Sequence, residues 1–338
     1  MAKTKVSIVG YGGWGTALGV HLDRIGQEVM IWGQEADYVE EIKKTHENKK
    51  FLPGITLSKK IKFTASVEEC ILFGSVAVFA IPTQFLRNVV YNIRLIPMGT
   101  RLVVSVAKGV EKKTLLCPSQ IIESVLGKQK MTVLSGPSHA EEVARAVPSC
   151  VVAASRNLAW AKETQTVFGD TAFRVYTATD MIGVELGGAL KNVIALAAGI
   201  CEGLGYGANT KAALLSRGIL EMTHLGVKMG ANPNTFFGLS GIGDLITTCF
   251  SEHGRNLMVG KAIGHGKKLK DILSNMEMVA EGVETTRAAS ELAKKYQVEM
   301  PLVTEVHRIL FEDKSPRKAV ADLMQRAPKS EMEFSYSR

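Results

Sequence analysis

Residues 6–22 read VSIVGYGGWGTALGVHL, and this stretch decides the fold. A β-branched apolar run enters a loop with Gly10, Gly12 and Gly15, and the residues after the loop continue with helical spacing. In such a loop Gly10 permits the tight turn, Gly12 lets the backbone approach a pyrophosphate, and Gly15 lets the helix pack against the strand. The N–H groups at the start of the helix then face the anion. The order of strand, glycine loop and helix therefore predicts a dinucleotide site rather than a plain turn.

Short apolar runs rich in β-branched residues alternate with helical patterns through the first half of the chain, as in parallel β-α-β units. Strands that are buried on both faces have this composition. The sequence therefore predicts a doubly wound parallel sheet, extended at one edge by two further strands. The predicted strands span 6–9, 29–32, 76–81, 102–106, 131–134, 151–154 and 173–176.

The second half of the chain changes to a helical pattern from about Ile182. Apolar residues recur there at the spacing of one helix face, which predicts an all-helical region. Pro301 is placed to open one of these helices, because proline is tolerated in the first turn. Breaks rich in glycine at 203–207, 238–243 and 264–266 are predicted to separate the helices.

These patterns divide the chain into two predicted domains and a tail. A dinucleotide-binding domain spans 1–184, a helical substrate-binding domain spans 185–330, and a polar tail covers 331–338. The predicted fold class is α/β, with a doubly wound sheet domain followed by an all-helical C-terminal domain. The 338 residues are enough for two cores, since a single core stops growing near ~250 to 300 residues.

The composition is that of a folded globular chain that favours anionic ligands. Hydrophobic residues make up 46% and charged residues 22%, which excludes a disordered or collagenous protein. The formal net charge of +8 favours phosphorylated metabolites, nucleotides or nucleic acid. The basic residues are dispersed, however, and their densest cluster, at 267–270, lacks interleaved aromatic residues. We therefore expect no nucleic-acid binding.

The cysteines and the apolar stretches predict a cytoplasmic location. Five cysteines lie far apart without a C-x-x-C pair, as expected for reduced thiols. The N-terminal residues leave no room for an export signal. The most apolar stretch, 189–201, falls short of the ~20 residues of a membrane span. The seven histidines show no ligand spacing, so no metal is predicted.

The end of the second predicted strand bears on the choice of cofactor. An Asp or Glu at this point binds the ribose 2′-hydroxyl of NAD, but here Gly33 and Gln34 occupy the slot and Glu35 follows. No Arg or Lys that could bind a 2′-phosphate lies between this slot and Lys43. We therefore expect both NADH and NADPH to be used, without a strong preference.

A lysine and an amide, Lys191 and Asn192, interrupt an apolar helix at 183–193 among small residues. A buried lysine is unusual without a partner, and the alternative is a side chain that reaches to the surface. A desolvated lysine near other cations has a lowered pKa and can exchange a proton with a carbonyl or hydroxyl oxygen near neutral pH. Lys191 is therefore the candidate acid and base.

A third segment, 238–256, carries Asp244, Arg255 and Asn256. Asp244 could orient a lysine ammonium, and arginine is suited to a bidentate grip on a phosphate. Each residue also has a structural alternative, since Asp244 could cap a helix and Arg255 could be a solvated charge. Their joint appearance favours a site for a phosphorylated substrate.

These segments resemble bacterial NAD(P)-dependent glycerol-3-phosphate dehydrogenases over nearly the whole chain. The resemblance implies a Rossmann domain, NAD or NADP as cofactor, and interconversion of dihydroxyacetone phosphate with sn-glycerol 3-phosphate for phospholipid synthesis. It also implies a small phosphorylated substrate and a homodimer. The segments that carry it are 10–15, 106–111, 135–144, 185–192, 241–245, 255–256, 279–282 and 298–301.

The resemblance also implies roles for individual residues. Lys191 would be the proton donor and acceptor, with Lys108 and Asp244 beside it. The positions that match substrate-binding residues are Lys108, Gly136, Ser138, Lys191, Asn192, Asp244, Thr248, Gly254, Arg255 and Asn256. The positions that match cofactor-binding residues are Gly10, Gly12, Gly13, Trp14, Gly15, Gln34, Lys108, Ala140, Arg255, Val279 and Glu281.

Two residues depart from the family pattern. His139 stands where Phe is usual, and Gly254 stands where Ser is common, which removes a hydroxyl contact to substrate. Two other functions are open. A β-hydroxyacid dehydrogenase would have an Asn four residues after the reactive lysine, where this chain has Ala195. A catalytically silent NAD-binding sensor would need neither Lys191 nor Asp244.

Overall fold

The computed structural model describes residues 3–98, 101–251, 254–276, 279–328 and 330–331. Their strands form a large sheet of eight and a separate hairpin of two. The strands are β1 (Lys5–Val9), β2 (Glu28–Trp32), β3 (Glu47–Asn48), β4 (Leu52–Thr56), β5 (Lys62–Thr64), β6 (Val76–Phe79), β7 (Leu102–Ser105), β8 (Lys130–Ser135), β9 (Ser149–Ala154) and β10 (Phe173–Ala178).

Helices connect strands of the large sheet, and in the described residues all the regular elements after β10 are helical. The first seven are α1 (Gly13–Arg24), α2 (Ala36–Thr45), α3 (Val67–Phe73), α4 (Thr83–Asn92), α5 (Pro118–Leu126), α6 (Ala140–Ala144) and α7 (Leu158–Phe168). After the sheet come α8 (Met181–Gly203), α9 (Ala208–Lys228), α10 (Asp244–Phe250), α11 (Arg255–Gly264), α12 (Leu269–Ser274), α13 (Glu281–Tyr296), α14 (Pro301–Phe311) and α15 (Pro316–Met324).

The large sheet has the strand order β10-β9-β8-β7-β6-β1-β2-β5. Its neighbouring strands are parallel except β8 and β9, which run antiparallel. The strand β1 lies inside the sheet, between β2 and β6, and runs parallel to both. The glycine loop that follows β1 therefore sits at the carboxyl edge of these strands, where dinucleotides bind in such folds. The predicted sheet, dominated by parallel pairs and wound on both sides, is confirmed.

All seven predicted strands are present, and β9 and β10 extend the sheet at one edge as expected. The strand β6 ends at Phe79 instead of residue 81, because the chain turns there toward Pro82, which precedes α4. The sequence did not predict β3, β4 or β5. The first of these has two residues and β4 contains Pro53 and Gly54, so neither shows the alternation that identifies a strand.

The helix α8 is the centre of the helical half, and α9, α10, α11 and α13 pack around it. Glycines let α11 approach it closely. A Cβ on Gly199 would lie 2.1 Å from the Leu257 carbonyl oxygen, and a Cβ on Gly260 would lie 2.1 Å from that of Leu196. The two backbones are therefore in contact where they cross.

This helix is longer than the apolar stretch noted in the sequence. With 23 residues and a mean hydropathy of 1.5 it is long and apolar enough to cross a membrane, yet its apolar window is wholly buried inside the protein. It is the core helix of the helical half.

The structure bears differently on the predicted break at 238–243, the predicted domain division and the predicted tail. Residues 238–243 are not a simple break, because a π-helical turn at Leu239–Gly243 runs directly into α10. The predicted domain division after residue 184 falls inside α8 and stays a prediction. Of the predicted tail, residues 332–338 lie outside the described residues.

Candidate active site

Two lysines share one carboxylate where the sheet half meets the helical half. Asp244 Oδ1 accepts a hydrogen bond from Lys191 Nζ at 2.5 Å, and Oδ2 accepts one from Lys108 Nζ at 2.7 Å. Lys108 follows β7, Lys191 lies in the middle of α8, and Asp244 begins α10. The carboxylate therefore binds to its partners instead of capping its own helix.

Two glycines one turn before Lys191 make this meeting possible. A Cβ on Gly187 would lie 2.5 Å from the Ser240 carbonyl oxygen, so only glycine lets the π-helical turn rest against α8. A Cβ on Gly188 would lie 2.8 Å from Ser135 Oγ and 3.4 Å from Cγ of Lys108. Both close approaches position groups of the triad formed by Lys108, Lys191 and Asp244.

The triad is largely closed to water. The Lys191 side chain is 8% exposed and that of Asp244 is 2% exposed. Burial lowers the pKa of Lys191 to about 8, with Asp244 opposing the shift and the Lys108 charge adding to it. At neutral pH Lys191 is therefore protonated but acidic enough to transfer its proton readily.

Thr248 is the second partner of the Lys191 ammonium and so fixes the direction of its third N–H. Its hydroxyl donates to the Asp244 carbonyl oxygen at 2.6 Å, so its oxygen is available to accept from Lys191 Nζ at 2.7 Å. An ammonium has three N–H donors. Asp244 and Thr248 use two of those on Lys191, and within the described part of the chain the third has no partner.

The loop after β8 supplies a second wall of the site. Gly136 has a φ of +136°, and its carbonyl oxygen accepts from Lys108 Nζ at 3.1 Å and from Ser138 Oγ at 2.9 Å. Among the residues that the structure describes, the Lys108 ammonium thus has one N–H without a partner as well. The structure brings together six of the predicted substrate-binding residues in this way, namely Lys108, Gly136, Ser138, Lys191, Asp244 and Thr248.

The two predicted asparagines, Asn192 and Asn256, form a separate chain of hydrogen bonds. Asn256 Nδ2 donates to Asn192 Oδ1 at 2.9 Å, and Asn256 Oδ1 accepts from the Gly282 backbone N–H at 3.0 Å. Arg255 is exposed, and its guanidinium donates to the Val279 carbonyl oxygen at 2.9 Å. Neighbours of the triad are thereby tied to the segment that begins α13.

Glu281 links the two halves of the chain on the other side of this segment. It is the first residue of α13, and its carboxylate accepts from the Thr83 backbone N–H at the start of α4 at 3.0 Å. Burial raises the pKa of Glu281 to about 7, while the Thr83 hydrogen bond and the Arg255 charge oppose the rise. No sequence signal predicted the Glu281 to Thr83 contact, because it joins residues 198 positions apart.

The glycine loop has the shape that a dinucleotide pyrophosphate needs. Gly10 has a φ of +120°, and a Cβ on Gly15 would lie 2.0 Å from the Gly10 carbonyl oxygen. A Cβ on Gly12, by contrast, would meet nothing within 4 Å, so the space in front of the α1 N-terminus is open. Trp14 Nε1 is buried without a hydrogen-bond partner among the described residues. These features fit a bound dinucleotide.

Ala140 lies beside this loop, since its Cβ is 3.8 Å from the place of a Cβ on Gly13. Gln34 and Glu35 are exposed at the end of β2. The sequence missed the β3–β4 hairpin, which brings Lys50 Nζ to 3.6 Å from Glu35 Oε1. The turn residues Lys49 and Lys50 were the available signal, but β3 has only two residues and β4 contains Pro53 and Gly54, so neither shows the pattern of a strand.

His139 and Gly254, the two residues expected to depart from the family pattern, lie near the triad. Buried His139 Nε2 has no hydrogen-bond partner in the described ranges, and burial, followed by the Lys191 charge, lowers the pKa of this imidazole. Gly254 is buried, and a Cβ there would lie 3.1 Å from the Thr248 carbonyl oxygen. The described residues contain no cluster of three or more His, Cys, Asp or Glu that could hold a metal ion.

Comparison with known proteins covers both halves of the chain. Residues 5–161 match the family described as NAD-dependent glycerol-3-phosphate dehydrogenase N-terminus, and residues 180–321 match its C-terminus. A glycerol-3-phosphate dehydrogenase [NAD(P)+] of Bacillus subtilis (strain 168) is 48% identical over 334 residues, covering 97% of this chain and 96% of that protein. One of Agathobacter rectalis is 46% identical over 328 residues, covering 97% and 98%.

Solved structures give the same picture. The crystal structure of a glycerol-3-phosphate dehydrogenase from Coxiella burnetii is 35% identical and superposes with a TM-score of 0.92, covering 96% of this chain and 99% of that one. A D-mandelate dehydrogenase superposes with a TM-score of 0.63 at 15% identity, which shows a shared fold alone.

Proposed function

The chain belongs to the NAD-dependent glycerol-3-phosphate dehydrogenase family and is an NAD(P)-dependent oxidoreductase, and we propose that Lys191 exchanges the proton in its reaction. That reaction interconverts dihydroxyacetone phosphate and sn-glycerol 3-phosphate. The observation that carries the assignment is a buried ammonium whose pKa is lowered to about 8 and which has one N–H without a partner among the described residues.

The residues of the triad act on the substrate oxygen. When bound, NAD(P)H supplies the hydride that reduces the carbonyl carbon. Lys191 donates a proton to the carbonyl oxygen as negative charge develops there, and takes it back in the reverse direction. Asp244 and Thr248 hold the ammonium in place, so that its third N–H points in a fixed direction. The remaining N–H of Lys108 provides a second donor to the same region.

Phosphate recognition is assigned to the surrounding donors. Gly136 and Ser138 form one wall, and Arg255, Asn256 and Thr248 lie on the helical side. Arg255 suits a phosphate because its planar fork makes paired, charge-assisted hydrogen bonds. Its present bond to the Val279 carbonyl oxygen uses one of five donors. Gly254 offers only its backbone, so phosphate affinity rests on these other groups.

The wider biological setting follows from the reaction. The product sn-glycerol 3-phosphate provides the backbone of glycerophospholipids, so the enzyme supplies phospholipid synthesis. We propose a cytoplasmic location from the dispersed cysteines, which are typical of reduced thiols. We also propose that the enzyme forms a symmetric homodimer, which is the commonest assembly among soluble oligomers. The dispersed positive charge serves a small phosphorylated substrate, without nucleic acid as a partner.

The substrate is tested by following the absorbance of the reduced nicotinamide with purified protein. Dihydroxyacetone phosphate should be reduced rapidly with NADH and with NADPH. Unphosphorylated dihydroxyacetone is the matched control and should react far more slowly, because the phosphate contacts are missing. Equal rates with the two ketones would contradict the phosphate assignment, and no turnover with either would contradict the proposed reaction.

A further inference from the structure

The β3–β4 hairpin is fastened directly to the glycine loop. Asn48 Nδ2 donates to the Tyr11 carbonyl oxygen at 2.7 Å and to Thr16 Oγ1 at 2.8 Å. A Cβ on Gly13 would lie 2.6 Å from the Phe51 carbonyl oxygen. The hairpin therefore forms a side of the dinucleotide site, although no sequence pattern placed it there.

Lys50 is held at the tip of this hairpin. Its backbone N–H donates to the Tyr38 hydroxyl at 2.8 Å, which ties the tip to α2. Its ammonium lies 5.2 Å from the centre of the Phe51 ring and 5.9 Å from that of Tyr38. The Nζ atom is 3.6 Å from Glu35 Oε1, and the two side chains remain 34% and 57% exposed. The ion pair is thus preorganised but open to solvent and to a ligand.

The position of this pair matches one part of a dinucleotide. With the pyrophosphate at the N-terminus of α1, the adenosine ribose lies at the end of β2. Gly33, Gln34 and Glu35 stand there. Glu35 alone would repel a 2′-phosphate, and Lys50 is the cation that the structure places against it.

We propose that Lys50 is the residue that reads the 2′-phosphate of NADPH, and that its exchangeable pair with Glu35 lets one pocket accept both cofactors. With NADPH, Lys50 leaves Glu35 and binds the phosphate. With NADH, the pair stays closed, and Glu35 and Gln34 face the ribose hydroxyls. The inference rests on the proposed function and deepens it, because it specifies how the site binds NAD(P). It does not depend on which ketone is the substrate.

The test is a direct binding titration of NADPH and NADH, followed by energy transfer from the tryptophans to the reduced nicotinamide. Lys50→Ala should raise the Kd for NADPH about tenfold, the loss expected for one charge-assisted hydrogen bond, and change that for NADH less than about threefold. Because an ionic contact is lost, the NADPH Kd of the variant should also depend less on salt.

The matched control is Lys43→Ala, which removes the same charge from the last turn of α2, where Lys43 pairs with Glu40 at 2.7 Å. It should change neither Kd by more than about twofold, since an exposed charge acts weakly at a distance. Retained NADH binding by Lys50→Ala shows that this variant is folded.

Equal changes in the two Kd values, or no change in either, would overturn the role of Lys50. An equal loss of NADPH affinity in Lys43→Ala would do the same, because the effect would then be one of net charge. These ratios do not involve dihydroxyacetone phosphate. The proposed reaction can therefore fail while the inference stands, and the reverse.

Discussion

The two ends of the proposed cofactor site each contain a lysine paired with a carboxylate, but the pairs differ in burial and hence in what they can do. Lys191 and Asp244 lie 2.5 Å apart and almost out of contact with water. Lys50 and Glu35 lie 3.6 Å apart and partly in solvent. Burial makes the first pair strongly coupled, so it can set a pKa. Exposure keeps the second pair weak, so it can exchange its partner for a ligand.

The largest effect is expected when the lysine of the buried pair, Lys191, is removed. In Lys191→Ala we expect kcat to fall by at least ~100-fold, the low end for loss of a general acid, with little change in cofactor Kd. The matched control is Lys211→Ala, a lysine of α9 paired with Glu202 at 3.2 Å. Steady-state kinetics should show near-normal turnover for the control, and near-normal turnover for Lys191→Ala would remove Lys191 from the mechanism.

A second prediction tests the coupling itself. Asp244 raises the pKa of Lys191, so Asp244→Asn should move the pH at which ketone reduction is lost downward from about 8 by at least about one pH unit. The rate near pH 8 then falls at least about fivefold, since the protonated fraction of the lysine drops from about one half to about one tenth. A pH profile that keeps its position would show that the two groups are not coupled. The same change at Glu35 should leave the profile unmoved.

The packing around the buried pair gives a third prediction. Gly187→Ala places a Cβ 2.5 Å from the Ser240 carbonyl oxygen, so we expect a loss of unfolding free energy of about 1–3 kcal/mol, as for other overpacked cores. Urea denaturation measures it. Gly207→Ala is the control, because a Cβ there meets nothing within 4 Å at a φ of −90°. Equal midpoints for the two variants would contradict the close approach of α8 and the π-helical turn.

The smallest effect is expected at the exposed pair. Lys50→Ala should change the unfolding free energy by less than about 1 kcal/mol, as is usual for exposed ion pairs. The measurement is the same urea titration in the absence of cofactor. A loss of unfolding free energy as large as that of Gly187→Ala would show that the pair of Lys50 and Glu35 stabilises the fold, and would contradict its role in ligand binding.

The sequence predicted the buried end of the site better than the exposed end. The buried end could be predicted from local patterns, because a lysine within an apolar helix and a glycine loop after a strand are visible over a few residues. The number of strands in the core of the sheet was predictable for the same reason. Their directions were not, since nothing in β9 states that it runs antiparallel to β8.

Contacts between distant segments could not be predicted from local patterns, and only the family resemblance implied that Lys108 and Asp244 lie beside Lys191. The hairpin with Lys50 has strands of two and five residues, and the Glu35 contact depends on how it folds over α1 and α2. The contact of Glu281 with Thr83 depends in the same way on how α13 meets α4. Periodicity reports which face of an element is buried, but not which element covers it.

The most direct test of the account is the pH dependence of the wild-type enzyme in both directions. Ketone reduction needs protonated Lys191, so its rate should fall as pH rises through about 8, whereas alcohol oxidation needs the neutral amine and should rise through the same pH. Opposite limbs that share one pKa near 8, and that both move down in Asp244→Asn, are the predicted result. Limbs that do not share a pKa, or profiles without a transition near pH 8, would contradict the assignment of Lys191 as the proton donor and acceptor.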